Sequence, residues 1–170
     1  MHNVGMCRWG SGLPGQPFRY TGTDVLDESD IATLLNTAHT NAEESTNRET
    51  ALEAIGAAGG DDAVPVLVAE LNDPDIDSRQ AAIRGLYSTG SRFAVPVLIE
   101  LLRSPQWRES LTAEYGLEVL THRRGASTEL AEPPPPDTYL KWIRWWKTDG
   151  QTAIIFRASQ CGEIEALPSP

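Results

Sequence analysis

The sequence predicts an all-α fold: an α-α superhelix, or right-handed α-solenoid, of about three helical hairpins with irregular N- and C-terminal tails. Three observations carry this. Apolar residues recur at helical spacing through the middle of the chain, the whole pattern returns one helical pair further on, and Gly and Pro cluster between the patterned segments or in the tails. The chain of 170 residues has room for one domain with a modest core, or one short repeat array.

Residues 1–23 hold Gly5, Gly10, Gly12, Pro14, Gly15, Pro17 and Gly22, a density of breakers that excludes a helix. No basic start is followed there by the ~7–15-residue apolar block of a secretory signal. We therefore expect a disordered leader and a cytoplasmic protein. The repeat domain is expected over 24–150. Ile31, Leu34, Leu35 and Ala38, at i, i+3, i+4 and i+7, predict a helix over 28–40 with Asp27 or Ser29 as N-cap. Ala51, Leu52 and Ile55 predict one over 47–58, ended by Gly59-Gly60. Val64, Leu67, Val68 and Leu71 predict one over 62–72, with Asp61 or Asp62 as its cap. Pro65 lies in its first turn, where a missing N–H is harmless.

Asn72-Asp73-Pro74 then breaks the chain, and Ala82, Ile83 and Leu86 predict a helix over 77–88 before Gly90. Val95, Leu98, Leu101 and Leu102 predict the next over 92–103, stopped at Ser104-Pro105. The helix predicted over 106–121 has two apolar stripes, one of Ala113, Leu117 and Leu120, the other of Trp107, Leu111, Tyr115 and Val119. A helix apolar on two sides is covered on two sides, so the closing helix or the tail is expected over the second stripe. A Pro-rich linker, 126–137, contains the stiff run Pro133-Pro134-Pro135-Pro136. The closing helix is expected over 138–148. The tail, 151–170, starts with the short β-prone run Ala153, Ile154, Ile155 and Phe156 and ends in Pro168-Ser169-Pro170.

Shifted by one repeat, the chain aligns with itself. Ala51-Leu52 falls on Ala82-Ile83, Ile55 on Leu86, Gly59 on Gly90, and Ala63-Val64-Pro65-Val66-Leu67 on Ala94-Val95-Pro96-Val97-Leu98. Leu71 falls on Leu102, Pro74 on Pro105 and Arg48 on Arg79, and a third copy begins with Ala113, Gly116, Leu117 and Leu120. No such unit buries its apolar face alone, so neighbours must stack. Arg48 and Arg79 stand on the core-facing side of their helices, where a long stem lies on apolar surface and the guanidinium reaches a carboxylate of the preceding unit. We expect a structural ladder of Arg48, Asp73 and Arg79, with Asp73 serving Arg79, rather than a ligand site. Ser110 stands where a third arginine would, so the ladder is expected to end there.

The run Asp73-Pro74-Asp75-Ile76-Asp77-Ser78-Arg79-Gln80-Ala81-Ala82-Ile83-Arg84-Gly85-Leu86 resembles the linker and first helix of short bacterial HEAT-like repeats, the variety also found in phycobilin-lyase-type proteins. Gly90 and Ala94-Val95-Pro96-Val97-Leu98-Ile99 are similar to the second helix of that unit. Tyr139-Leu140-Lys141-Trp142-Ile143-Arg144-Trp145-Trp146 looks like an aromatic helix that follows such repeats. The resemblance implies a binding module that presents its second helices on a concave face, where Val66, Ala69, Glu70, Val97, Glu100 and Arg103 would meet another protein or a peptide. Trp142, Trp145 and Trp146 would seal the open end, with Trp142 and Trp146 inward and Trp145 half exposed. A lyase or chromophore-handling protein is the alternative the resemblance carries, and a segment of a larger solenoid protein is a third reading.

Charge and composition narrow the chemistry. Lys and Arg number 14 against 24 Asp and Glu, a net charge of −10, which disfavours nucleic acid as a whole-surface partner. Residues 1–75 hold 3 basic and 13 acidic side chains, and residues 76–170 hold 11 of each. Arg92, Arg103, Arg108, Arg123 and Arg124 make a local basic patch conceivable in the second half, but not a whole basic face. No run of ~18 apolar residues marks a membrane span. His2, His39 and His122 fall on separate elements, and Cys7 and Cys161 lie in opposite tails, so no metal is expected. Glu43-Glu44 and Asp61-Asp62 are neighbours in sequence, and side chains at i and i+1 of a helix diverge. We expect no catalytic residue and no cofactor.

Overall fold

The computed structural model describes residues 45–125, 133–158 and 164–167, with residues 29, 32, 33 and 36. Those four are helical, and Thr33 Oγ1 donates to the Ser29 carbonyl at 2.8 Å. The rest of the helix expected over 28–40, with its apolar residues Ile31, Leu34, Leu35 and Ala38, lies outside the described residues, as does the expected leader.

Helix α1, Ser45–Glu70, is two helical limbs joined at Gly60, whose φ of 53° and ψ of −135° are non-helical. The break expected at Gly59-Gly60 is therefore a sharp turn with no intervening loop. A residue at that φ is strained unless it is glycine. The second limb opens with Asp61 and Asp62 exposed and carries Pro65 in its first turns, as the sequence requires. Helix α2, Ile76–Ser88, starts from Asp75, whose carboxylate accepts from the Asp77 and Ser78 amides at 3.4 and 3.1 Å and from Ser78 Oγ at 2.9 Å. Helix α3, Ala94–Leu101, is shorter than the expected 92–103, because its two ends tighten into i→i+3 turns at Ser91–Ala94 and Ile99–Leu102. Helices α4, Trp107–Thr121, and α5, Thr138–Thr148, follow.

The repeat is visible as burial. Ile55, Leu86 and Leu117, which occupy the same place in successive units, are all fully buried. So are the pairs Leu52 and Ile83, Ala63 and Ala94, and Leu67 and Leu98. Each large aliphatic side chain so buried contributes about 1.5–3 kcal/mol. The molecule is an all-α repeat superhelix in which α1 packs on α2, α2 on α4, and α3 on α4. The tightest approach is between α1 and α2. A Cβ on Gly56 would stand 2.2 Å from the Gly85 carbonyl oxygen, and one on Gly85 would stand 2.8 Å from that of Leu52.

The third unit departs from the first two. The start of α5 lies at the end of α3, where Tyr139 Oη donates to Glu100 Oε1 at 3.0 Å. The chain just after α5 lies at the start of α3, where the Arg92 guanidinium donates to the Gly150 and Gln151 carbonyls at 2.9 and 3.0 Å, and to that of Ala153. Helix α5 thus runs antiparallel to α3, whereas the second limb of α1 and α3 are repeat equivalents. The long Pro-rich connection permits this reversal, since the chain must travel one helix length, about 16 Å for 11 residues at 1.5 Å each, before α5 begins.

The expected irregular tail is corrected in part. Beyond a 3₁₀ turn at Gly150–Thr152, strands β1, Ile155–Ala158, and β2, Ile164–Leu167, form an antiparallel hairpin in which Ile155 pairs with Leu167 and Ala158 with Ile164. Strand β1 packs on α4 and α2, and Ile155 joins the core. The β-prone run had a helical surface to dock on, which a tail reading does not supply.

Two outcomes follow from this packing. Gly85→Ala is expected to destabilise the fold by about 1–3 kcal/mol, because backbone on both sides of the crossing cannot yield; urea unfolding measures it. The hydrogen bonds from Ser78 hold the Asp75 carboxyl below its ordinary range. A carboxyl depressed in the folded state stabilises above its unfolded pKa, and that contribution fades as pH falls through the folded one. Asp75→Ala should therefore cost about 1 kcal/mol at neutral pH, and the gap from wild type should narrow as unfolding is measured from pH 5 towards pH 2.

Candidate functional site

The second limb of α1 and helix α3 carry the residues expected on the binding face. Their apolar sides turn inward through Ala63, Val64 and Leu67 on one, and Ala94, Val95, Leu98 and Ile99 on the other. Their opposite sides leave a groove between them. It is lined by Leu71, Pro96, Val97, Glu100 and Leu101, has a volume of about 500 Å³, and is almost wholly apolar. Val97 and Glu100, two of the residues expected on the binding face, line it. Val66 is half-buried on the second limb of α1 and does not line it.

Glu100 is exposed and held at the rim by two neighbours. Tyr139 donates to one carboxylate oxygen, and Arg103 Nη1 lies 3.6 Å from the other. The Arg103 guanidinium also sits 5.2 Å from the centre of the Tyr139 ring. Arg103 is therefore part of the junction between α3 and α5 as well as of the exposed face. Glu70 is half-buried. Arg48 Nη2 donates to its carboxylate at 2.9 Å, which makes Glu70 a structural partner. The groove residues Leu71, Pro96 and Leu101 were legible only as helix or core positions, since whether a gap opens beside them depends on how far two helices stand apart.

The arginine ladder exists with different partners from those expected. The Asp73 carboxylate pairs with Arg48, not with Arg79. Arg79 takes the Asp73 and Pro74 carbonyls at 2.8 and 3.1 Å through Nη1, and Glu109 Oε1 at 2.7 Å through Nε. The carboxylate of each rung thus lies forward, in the next linker or the next first helix, while Arg79 also reaches back to two carbonyls of the linker before its own helix. Burial alone would lower the pKa of Arg48, yet the hydrogen bond to Glu70 and the charges of Asp73 and Glu70 hold it above the usual value.

The two rungs are related by an exchange. Asp73 and Ser78 in one unit become Ser104 and Glu109 at the matching places of the next. Asp73 Oδ1 accepts from the Asp75 amide at 2.8 Å, and Ser104 Oγ accepts from the Gln106 amide at 3.1 Å. The linker turn keeps its form between units while the carboxylate moves from linker to helix. Ser104 Oγ closes the second rung by donating to Glu109 Oε2 at 2.6 Å. Ser110 is buried and donates to the Trp107 carbonyl at 2.9 Å. A further link joins the first helices, where Arg84 Nε donates to Glu53 Oε1 at 2.5 Å and Arg84 Nη2 lies 3.4 Å from Glu49. Burial pushes the Glu49 carboxyl up, and Asp77, Glu53 and Asp75 add to this against the pull of Arg84.

The three tryptophans are all buried. Trp145, expected to be half exposed, is 7% exposed because the Trp142 ring meets it edge-on at 5.5 Å and the Arg123 guanidinium covers it at 5.0 Å. The second stripe of α4 is less covered than expected. Trp107 is 41% and Tyr115 47% exposed, while Leu111 and Val119 are half-buried. Tyr115 meets Tyr87 edge-on at 5.7 Å. The conceivable basic patch is dispersed: Arg92 holds the chain after α5, Arg103 the Tyr139 ring, Arg108 the Trp107 ring and Arg123 the Trp145 ring. His122 has a left-handed φ of 53° at the end of α4 and stacks on Phe156 at 3.8 Å. Among the described residues no three His, Cys, Asp or Glu side chains gather to hold a metal ion, and no helix is long and apolar enough to cross a membrane.

With this geometry in view, a family model described as HEAT repeats matches residues 31–118, just over half of the chain. No curated protein and no solved structure matches.

Arg79→Met leaves the nearly buried Glu109 carboxylate without its cation and should destabilise the fold by about 2–3 kcal/mol. The double variant Arg79→Met/Glu109→Gln should recover part of that loss in the same thermal or urea unfolding experiment.

Proposed function

Since this chain belongs to the HEAT-repeat family, whose members generally mediate protein–protein interaction or scaffolding, we propose that it is a non-enzymatic module that binds another protein or a peptide on the exposed face of its second helices. The apolar groove between the second limb of α1 and α3 carries this reading. Pro96 is exposed and Val97, packed against the core on one side, keeps part of its surface open, and the exposed Glu100 sets a charged rim beside them. The groove is open to solvent and offers apolar footing for side chains of a partner. Binding energy at such a face concentrates in a few anchors seated in the groove, with the rim supplying selectivity.

The test replaces the groove and leaves the ladder intact. Val97→Asp/Glu100→Arg protein should keep the wild-type circular dichroism and lose, by tenfold or more, the partners that wild-type protein retains in affinity capture followed by mass spectrometry. An unchanged set of partners would sink the assignment of this face.

A further inference from the structure

The exposed sides of the three helices on this face differ in charge, and the difference has a direction. On the second limb of α1 the exposed residues are Asp61, Asp62, Pro65 and Ala69. On α3 they are Pro96 and Glu100, with Phe93 and Arg103 just beyond its ends. Glu100 and Arg103 neighbour each other, so this middle helix is close to neutral and chiefly apolar. On α5 the exposed residues are Leu140, Lys141, Arg144, Lys147 and Thr148. Asp137 pairs with Lys141 at 2.8 Å, and the exposed Asp149 stands just past the end of the helix, so Arg144 and Lys147 leave α5 with one excess positive charge.

The reversal of α5 brings these charges level. Asp62 and Phe93 are equivalent positions of successive units, each at the start of its helix. The hold of Arg92 on the Gly150 and Gln151 carbonyls places the end of α5, and Lys147 with it, beside the Phe93 end of α3. A line across the helices at that level therefore runs from two aspartates, past Phe93 and the Pro96 end of the groove, to an arginine and a lysine with Asp149 beside them. Had α5 run in the direction of α3, Lys147 would lie at the Glu100 end instead.

Resting on the binding reading above, we propose that this face takes a segment of another protein that is cationic at one end, apolar in the middle and anionic at the other, laid across the three helices. Helices packed side by side are about 8–10 Å apart, so the two charged ends of the site are about 20 Å apart. An extended segment covers that in about six residues at ~3.3 Å each. A charge of the wrong sign at either end meets a like-charged pair, which fixes the direction in which the segment lies.

Selection from a display library of random twelve-residue peptides on the immobilised full chain tests this. The enriched peptides should carry Lys or Arg at one end and Asp or Glu at the other, about six residues apart with apolar residues between. Asp61→Lys/Asp62→Lys protein should hold them at least fivefold more weakly and select peptides anionic at both ends. Arg144→Glu/Lys147→Glu protein should select peptides cationic at both ends. All four positions are exposed, and circular dichroism of each variant checks that it folds as wild type does. Peptides that depend on Val97, tested with Val97→Asp, but carry one sign of charge or none overturn the polarity alone. Peptides indifferent to Val97→Asp, or no enrichment at all, overturn the groove reading and the proposal together.

Discussion

A stack of helical pairs hides each pair's apolar side against the next pair, so the stack always ends on a side with nothing to cover it. In this protein the closing elements answer that constraint at the C-terminal end. Helix α5 presents Trp142, Trp145 and Trp146 to the core, and Ile155 of the hairpin adds to them. Arg92 fixes the arrangement from the turn before α3, where its guanidinium spans three carbonyls of the chain that follows α5. A guanidinium suits the task, since its donors lie in one rigid plane.

The same logic explains why the units keep one geometry while their chemistry drifts. What the joint between units needs is a carboxylate near each ladder arginine and an acceptor for the amide two residues into the helix start. Asp73 meets both needs in one unit. In the next, Glu109 meets the first and Ser104 the second. The joint is specified by where charge and acceptor stand, and not by which residue supplies them. Buried or half-buried charge of this kind ties neighbouring units in register, since a shift of either partner leaves a desolvated ion unpaired.

The face that remains is the one no stacking requirement consumes. The first helices come closest where Gly56 meets Gly85, and the groove beside Val97 lies on the other side, between the second limb of α1 and α3. Small residues draw the superhelix tight along one side, while larger side chains leave space along the other. Function, on this account, is a by-product of the same packing that makes the fold, with charge added where solvent reaches.

Much of this was legible in the residues. The echo of Ile55 in Leu86 and Leu117, the breaks at Gly60 and Pro74, and the bounds of α5 follow from periodicity, because burial on one side of a helix has to repeat with the helix. The ladder arginines were legible for the same reason, as long side chains recurring on the core side. Their partners were not, because Glu109 and Asp73 are equally good acids in sequence and only the stacking distance decides which one a guanidinium reaches. Trp145 looked half exposed because helical phase does not count Arg123, which arrives from beyond the end of another helix. The direction of α5, the docking of β1 and the groove itself were settled in three dimensions, since each depends on where the chain goes after a linker and how far apart two helices rest, and neither distance is written in any local pattern.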